Sequence, residues 1–353
     1  MNIIARELNE YLNSWNSLEY WMNDPKISNI ETNRKIGIVI SSGPSANDAI
    51  PALKIIDKSK CIIIACDSAF KMLINYGIKP DIVVFGDPII NTCEYIKDVQ
   101  LPYETIYAYE PRVHVLTLQQ FENNQRIYYN CNNPLLTMLK LHMVDFQELN
   151  ARGSITVVAI EMLLKLECEQ IYLIGADSCF HNDQTHCEGK DTEYYDEAVL
   201  PKKNIKKVKN IKNQSVETTD ALMLYRELIE EKIKNNPKVE FFKVNEHKGL
   251  RLKKSKVIGI DSFAEAVNKN PEGYFQISKF YSKTIDKMSL LILGNAINAL
   301  GAKSILESKC DEGLYILFAP IVNAINAKHI QPEFLDIFRG SMLHQIKHII
   351  EGK

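Results

Sequence analysis

The sequence predicts an α/β fold: a mostly parallel sheet with helices on both faces, an N-terminal helical arm and a C-terminal helical domain. Three observations carry this. Short runs at 36–41 (IGIVIS), 61–66 (CIIIAC), 82–85 (IVVF), 105–109 (TIYAY) and 171–174 (IYLI) are rich in β-branched and aromatic residues and are bounded by Gly, Pro or Asp. These runs are apolar throughout rather than alternating, which is the texture of strands buried on both faces. Helical patterns at 46–56, 68–76, 154–166 and 218–234 are interleaved with them, as right-handed crossovers between parallel strands require.

At 353 residues the chain exceeds one ordinary core. The expected division is an arm over 1–33, an α/β domain over 34–250 and a helical domain over 251–353. Within the arm, Ile4, Leu8, Tyr11, Leu12, Trp15, Leu18 and Met22 recur at helical spacing, and a helix packed on its own domain is favoured over a docking arm. The segment 201–214, PKKNIKKVKNIKNQ, carries six lysines and reads as an exposed loop or flap. Its ordinary role is a solvated face, and attraction of a phosphorylated substrate is the alternative. After about residue 255 strand signals stop, and helical spacing resumes at 290–300, 313–327 and 332–350.

Composition excludes several classes. With 46% hydrophobic residues, 24% charged and a formal charge of −2, the chain has neither the bias of disorder nor the basic excess of a nucleic-acid binder. The first residues lack a cationic stretch followed by an apolar one, so a cytoplasmic protein is expected. The longest weakly polar run, 289–302, is interrupted by Asn295 and Asn298 and is shorter than the ~20 residues that span a bilayer. Eight cysteines are scattered without a CxxC pair, as suits reduced packing residues.

The candidate site gathers at strand ends, because open α/β sheets bind ligands beyond the carboxyl ends of their strands. The first run leads into Ser41, Ser42, Gly43, Pro44 and Ser45, a glycine-containing turn before a helix, whose free amides suit an anion such as a nucleotide phosphate. It matches neither the dinucleotide pattern nor the phosphate-loop pattern. The second and third runs end on Asp67-Ser68 and Asp87-Pro88, and the run at 171–174 ends on Gly175 and Asp177. Converging carboxylates would take Mg2+, with Asp67 and Asp87 as its ligands, while Asp67 also fits a plain helix cap. Gly153-Ser154 opens another helix. His186, with His181 as alternate, is the candidate acid/base beside Asp177. Cys179, His181, His186 and Cys187 fit zinc poorly, since His186 and Cys187 are adjacent and would not both face one ion.

The GPS turn, the stretch ACDSAFKMLINYGIKPDIVVFGD, the stretch RGSITVVAIEMLLKLECEQIYLIGADSCFHNDQTH and the helix start Thr218-Thr219-Asp220 together resemble the motility-associated-factor flagellin glycosyltransferases. That family (domain of unknown function 115) shares its core with the archaeal 6-hydroxymethylpterin diphosphokinases. More distantly the core is similar to bacterial CMP-sialic acid sialyltransferases. The resemblance covers about 34–250 and implies a Rossmann-like core. It further implies transfer of a nonulosonic acid of sialic, pseudaminic or legionaminic type from its CMP-activated form to a protein such as flagellin, without an organic cofactor. It carries the nucleotide surroundings onto Gly43, Pro44, Ser45, Asp67, Asp87, Gly153 and Ser154; Ser42, Ser68, Gly175 and Thr219 join them as nucleotide- or phosphate-binding candidates, and catalysis is expected at Asp177 and His186. The diphosphokinase branch implies Mg2+-dependent pyrophosphoryl transfer from ATP to a pterin alcohol, and a non-enzymatic partner in a glycosylation or surface-assembly system is a third expectation. The sialyltransferases have Asn where this chain has Asp67 and Asp87, and a catalytic His where it has Ser215, so their mechanism does not transfer unchanged.

Overall fold

The structure, a computed structural model, describes residues 3–131, 133, 135–136, 148–151, 153–182, 184, 186–188, 205–245, 247–278 and 331–351, with isolated positions between 291 and 326. Helices α1 (Ile3–Asn16) and α2 (Leu18–Asn23) precede β1 (Ile30–Thr32) and β2 (Ile36–Ile40). Helix α3 (Ile50–Ile55) leads to β3 (Cys61–Cys66), and α4 (Asp67–Asn75) leads to β4 (Ile82–Phe85). Strand β5 (Ile106–Tyr109), α5 (Val115–Gln120) and β6 (Arg126–Tyr128) complete one half. Helix α6 (Ile155–Lys165) then returns the chain to β7 (Gln170–Ile174). Beyond it lie β8 (Lys206–Lys209), β9 (Ser215–Thr218), α7 (Asp220–Asn235), β10 (Glu240–Val244), β11 (Lys256–Ile258), α8 (Ile260–Asn268), β12 (Phe275–Ile277) and α9 (Phe334–Glu351).

Eight strands form one sheet in the order β11-β10-β7-β2-β3-β4-β5-β6, every pairing parallel. Alternate residues serve opposite cores. Ile38, Ile63, Val83, Tyr107 and Tyr172 pack with Trp15, Trp21, Leu53, Phe70 and Phe263 from α1, α2, α3, α4 and α8. Val39, Ile62, Val84 and Leu173 pack with Val157, Ile160 and Leu163 of α6 and with Ile229 and Ile233 of α7. Each fully buried aliphatic side chain contributes about 1.5–3 kcal/mol, so continuous apolar strands are stable only with both faces covered.

The five expected strands are all present, and the architecture is the expected Rossmann-like one. Several details differ. The helix expected at 46–56 is a 3₁₀ turn, Pro44–Ala49, followed by the short α3, because Pro51 near the start of α3 has no N–H with which to continue a helix from the preceding turn. Strand signals do not stop at 255. Strand β11 extends the main sheet and β12 pairs antiparallel with β1, each only three residues long and too short to register as periodic. The sheet therefore runs past the expected boundary at 250.

The lysine-rich 201–214 is not a bare loop: β8 and β9 pair antiparallel, with a turn at Asn213 in the left-handed region, and 201–204 lie outside the described residues. The N-terminal helices pack on the domain, burying Trp15 and Trp21. Trp15 also meets Phe338 of α9 edge-on, with 6.4 Å between ring centroids. The helices expected at 290–300 and 313–327 lie largely outside the described residues, and that at 332–350 is α9. No helix among the described residues is long and apolar enough to cross a membrane.

Candidate active site

The chain builds outward from β2 through β3, β4, β5 and β6, then crosses back to place β7 on the other side of β2. The loops leaving β2 and β7 consequently diverge at a topological switch point, the crevice where open α/β sheets bind ligands. Ile40 pairs with Ile174 at the last register position, so Ser41–Ser45 and Gly175–Asp177 emerge side by side.

These two loops are fastened to each other. The Ser41 amide donates to the Ile174 carbonyl at 2.9 Å, and the Gly43 amide to the Gly175 carbonyl at 2.9 Å. A Cβ on Gly43 would lie 2.2 Å from the Gly175 oxygen, and one on Gly175 would lie 2.2 Å from the Ser41 oxygen. Gly175 also sits at φ +68, whereas Gly43, at φ −65, has ordinary backbone and needs glycine only for the close approach. Asp177 closes the arrangement: its Oδ2 accepts the Ser45 amide at 2.8 Å and its Oδ1 accepts the Ser45 hydroxyl at 2.5 Å.

Two sequence-derived roles change here. Ser45 is buried with its amide and hydroxyl both spent on Asp177, and Pro44 is buried as well, which leaves the half-buried Ser42 and Gly43 as the more accessible residues of the turn. Asp177, 3% exposed, faces Ser45 and Lys243 rather than an acceptor, and holds the turn in place. Lys243, at the end of β10, was not recognisable from sequence, since a lone Lys in EFFKV reads as a strand edge. It is 1% exposed, donates from Nζ to the Ala176 carbonyl at 2.6 Å and lies 3.7 Å from Asp177 Oδ1. Burial lowers its pKa, and the Asp177 carboxylate opposes that.

The amino end of α6 lies across the same ridge. Gly153, exposed and at φ +66, turns the chain into the helix, and Ser154 is its N-cap but makes no side-chain cap hydrogen bond. The Thr156 hydroxyl meets the Ser41 hydroxyl at 2.8 Å and the Cys66 sulfur at 3.7 Å. The Ile155 side chain is 2.6 Å from where a Cβ on Gly86 would stand. One helical turn thus covers the ends of β2, β3 and β4, and its amides and dipole favour an anion there. Burial pushes the Cys66 thiol up to about 12, which removes thiolate chemistry at this position.

Asp67 and Asp87 end adjacent strands. Asp67 opens α4, buried, with Oδ1 accepting the Ser68 amide at 2.7 Å. Asp87 is half-buried, with Oδ1 accepting the Ile89 amide at 3.2 Å. The described residues gather no group of three or more His, Cys, Asp or Glu around a common point. Two carboxylates on neighbouring strand ends still suit Mg2+, which keeps several waters and takes its remaining oxygens from substrate phosphates.

A further strand-end acid, Glu110 after β5, follows the same pattern as Asp67 and Asp87 and is legible in TIYAYE. Glu110 is 1% exposed, and burial raises its pKa to about 7 despite Arg112 Nη2 at 2.5 Å. Arg112 in turn pairs with Glu10 of α1 at 3.4 Å, and Asn13 Nδ2 donates to the Pro88 and Arg112 carbonyls at 3.0 Å each. The N-terminal helix therefore braces the loop that carries Asp87.

His186 arrives beside the turn because the next amide, that of Cys187, donates to the Ser42 carbonyl at 2.7 Å. His181 instead forms an isolated bridge with Gln184. Cys179 and Cys187 are both buried. Thr219 N-caps α7, its hydroxyl accepting the Leu222 amide at 3.3 Å. The β8–β9 hairpin docks beside the switch point: Phe180 donates to the Glu217 carbonyl at 2.8 Å, and Ile211 to the Gly249 carbonyl at 3.1 Å.

Residues 12–183, just under half of the chain, match the family described as 6-hydroxymethylpterin diphosphokinase MptE-like. The fold is shared with the structure of the MAf glycosyltransferase from Magnetospirillum magneticum AMB-1, at 13% identity and a TM-score of 0.56, over 98% of this chain and 55% of that one. The chain thus spans about half the length of that glycosyltransferase. The sialyltransferase CstII from Campylobacter jejuni, in complex with cytidine-5'-monophosphate, aligns at 15% identity over 71% of this chain and 93% of that one, with a TM-score of only 0.27. No curated protein sequence matches the chain.

Proposed function

We propose that the chain is a glycosyltransferase that takes a CMP-activated nonulosonic acid and transfers the sugar to a hydroxyl of a flagellin-type protein acceptor. The observation that carries this is the first turn of α6 laid over the ends of β2, β3 and β4, an anion site at a switch-point crevice. The shared fold with a MAf glycosyltransferase along nearly the whole chain supports it.

Sugar transfer of this kind passes through an oxocarbenium-like state, with the bond to the CMP phosphate breaking as the acceptor oxygen bonds to the anomeric carbon. The α6 amides at Ser154–Thr156 would hold the departing phosphate, and Ser42 and Gly43 the nucleotide beside it. His186 would accept the proton of the acceptor hydroxyl. Asp67 and Asp87 would hold Mg2+ where it is used, and the ion would neutralise phosphate charge.

The test is incubation with CMP-sialic-type donors, with and without Mg2+, reading CMP release and the melting temperature. CMP at one hundred times its Kd would stabilise the fold by about 2.7 kcal/mol, a shift of a few degrees. If no donor is consumed and neither CMP nor CTP moves the transition, the proposal fails. A second reading is Mg2+-dependent pyrophosphoryl transfer from ATP to a pterin alcohol, favoured by the MptE-like segment and the two acidic strand ends. It expects Asp87→Asn to abolish AMP release, and it falls if no pterin acceptor causes ATP to be consumed.

A further inference from the structure

The turn after β2 is held only in part by its own sequence. Gly43 has extended backbone, the 3₁₀ turn Pro44–Ala49 has no side-chain cap, and besides the local bond from the Ala46 amide to the Gly43 carbonyl the turn is fastened to Ile174, Gly175 and Asp177 across the switch point. Those fastenings converge on one buried group. Asp177 takes both Ser45 donors; Lys243 Nζ sits 3.7 Å from the same carboxylate and holds the Ala176 carbonyl at 2.6 Å.

Gly249 closes the far side at φ +82, where a Cβ would stand 2.8 Å from Asp177 Oδ1 and 2.9 Å from Lys243 Nζ. The backbone beyond it is tied in as well, with the Leu250 amide on the Asp177 carbonyl at 2.9 Å. The three groups come from the loop after β7, from β10 and from the loop after β10, so no local sequence pattern unites them.

We infer that Lys243 is a positioning residue for the nucleotide turn: through Asp177 and the Ala176 carbonyl it fixes where Ser42 and Gly43 present themselves to the ligand. The inference rests on the nucleotide-site reading above. A lysine and an aspartate removed from water are costly to bury, and such a pair persists where each satisfies the other and a specific geometry depends on it. Removing the cation leaves the Asp177 carboxylate partly uncompensated and the Ala176 carbonyl unpaired, and the turn should move away from its present position. Neutralising Asp177 at the same time removes the uncompensated charge, while Asn at that position can still accept from Ser45.

The experiment compares Lys243→Met, Lys243→Met with Asp177→Asn, Gly249→Ala and a surface control, Lys79→Gln, whose lysine pairs with the exposed Glu104 far from the site. Two readouts are taken on the full chain below each melting temperature: amide hydrogen exchange over 41–46, and CMP affinity. Lys243→Met should speed exchange of the turn amides about tenfold relative to those of β3 and β4, and weaken CMP about tenfold, as loss of one charge-assisted hydrogen bond would. The double variant should recover part of both, and Gly249→Ala, which keeps both charges, should reproduce the direction. Unchanged turn exchange in Lys243→Met and Gly249→Ala overturns the inference, as does faster exchange everywhere with CMP affinity intact. Faster turn exchange in a protein whose wild type binds no cytidine nucleotide would support the clamp and sink the donor assignment instead. If Lys243→Met does not fold, Gly249→Ala alone decides.

Discussion

Gly43→Ala isolates what close approach contributes, because its backbone at φ −65 is one that alanine adopts without strain. The added Cβ would lie 2.2 Å from the Gly175 oxygen and 2.8 Å from Asp177 Oδ2. Ordinary contact is about 3.4 Å or more, so the turn must retreat by about 1 Å. Both obstacles belong to the buried switch point, where a packed backbone gives little. That retreat breaks the hydrogen bond from Gly43 to Gly175 and at least one of the two from Ser45 to Asp177. With about 1 kcal/mol for the first and 1.5–3 kcal/mol for a bond to a carboxylate, the expected loss is about 2.5–4 kcal/mol. Urea denaturation of both proteins reads it, together with CMP affinity. Gly153→Ala is the contrast, since Gly153 sits at φ +66 with open space around it and should cost only about 1–2 kcal/mol. A loss below about 1 kcal/mol in Gly43→Ala, with nucleotide binding intact, would refute the argument that the two loops are held at contact distance.

Glu110 gives a pH signature. Its folded pKa of about 7 lies above the ordinary 4.5, so the stability it contributes is fully present below about pH 4.5 and is lost as pH rises through about 7. Glu110→Gln should flatten that slope by up to about 3 kcal/mol between pH 5 and 8, and identical slopes in both proteins would contradict the burial argument. Trp15→Ala should cost about 3–5 kcal/mol and loosen the loop of Asp87, because α1 is part of the core; a loss under 1 kcal/mol would return α1 to a docking arm. His186→Ala should lower kcat by two orders of magnitude or more with donor affinity little changed, and full activity would remove the acid/base role.

Sequence alone was sufficient where the physics is local. Five apolar runs such as CIIIAC could be stable only as doubly covered strands, and the acid placed after each of three runs marked the carboxyl edge of the sheet. Helix α6 and its Gly153-Ser154 start were legible for the same reason, a long apolar run behind a glycine turn. Strands β11 and β12 were not, because three residues carry no period, and the partner of β12, β1, is remote in sequence.

The division is sharpest at Ser45 and Asp177. Residue type and strand-end position made both look like ligand groups, and those are properties one chain segment carries by itself. Whether a side chain faces a ligand or another side chain depends on which strands become neighbours, and only tertiary structure put β7 beside β2 and Lys243 beneath them. Pairing across that switch point turned two expected ligand contacts into a buried brace and left Ser42, Gly43 and the first turn of α6 facing the crevice. The physical reason is that a buried carboxylate must be paired, and its partners lie 132 residues away at Ser45 and 66 residues away at Lys243, beyond the reach of any local pattern.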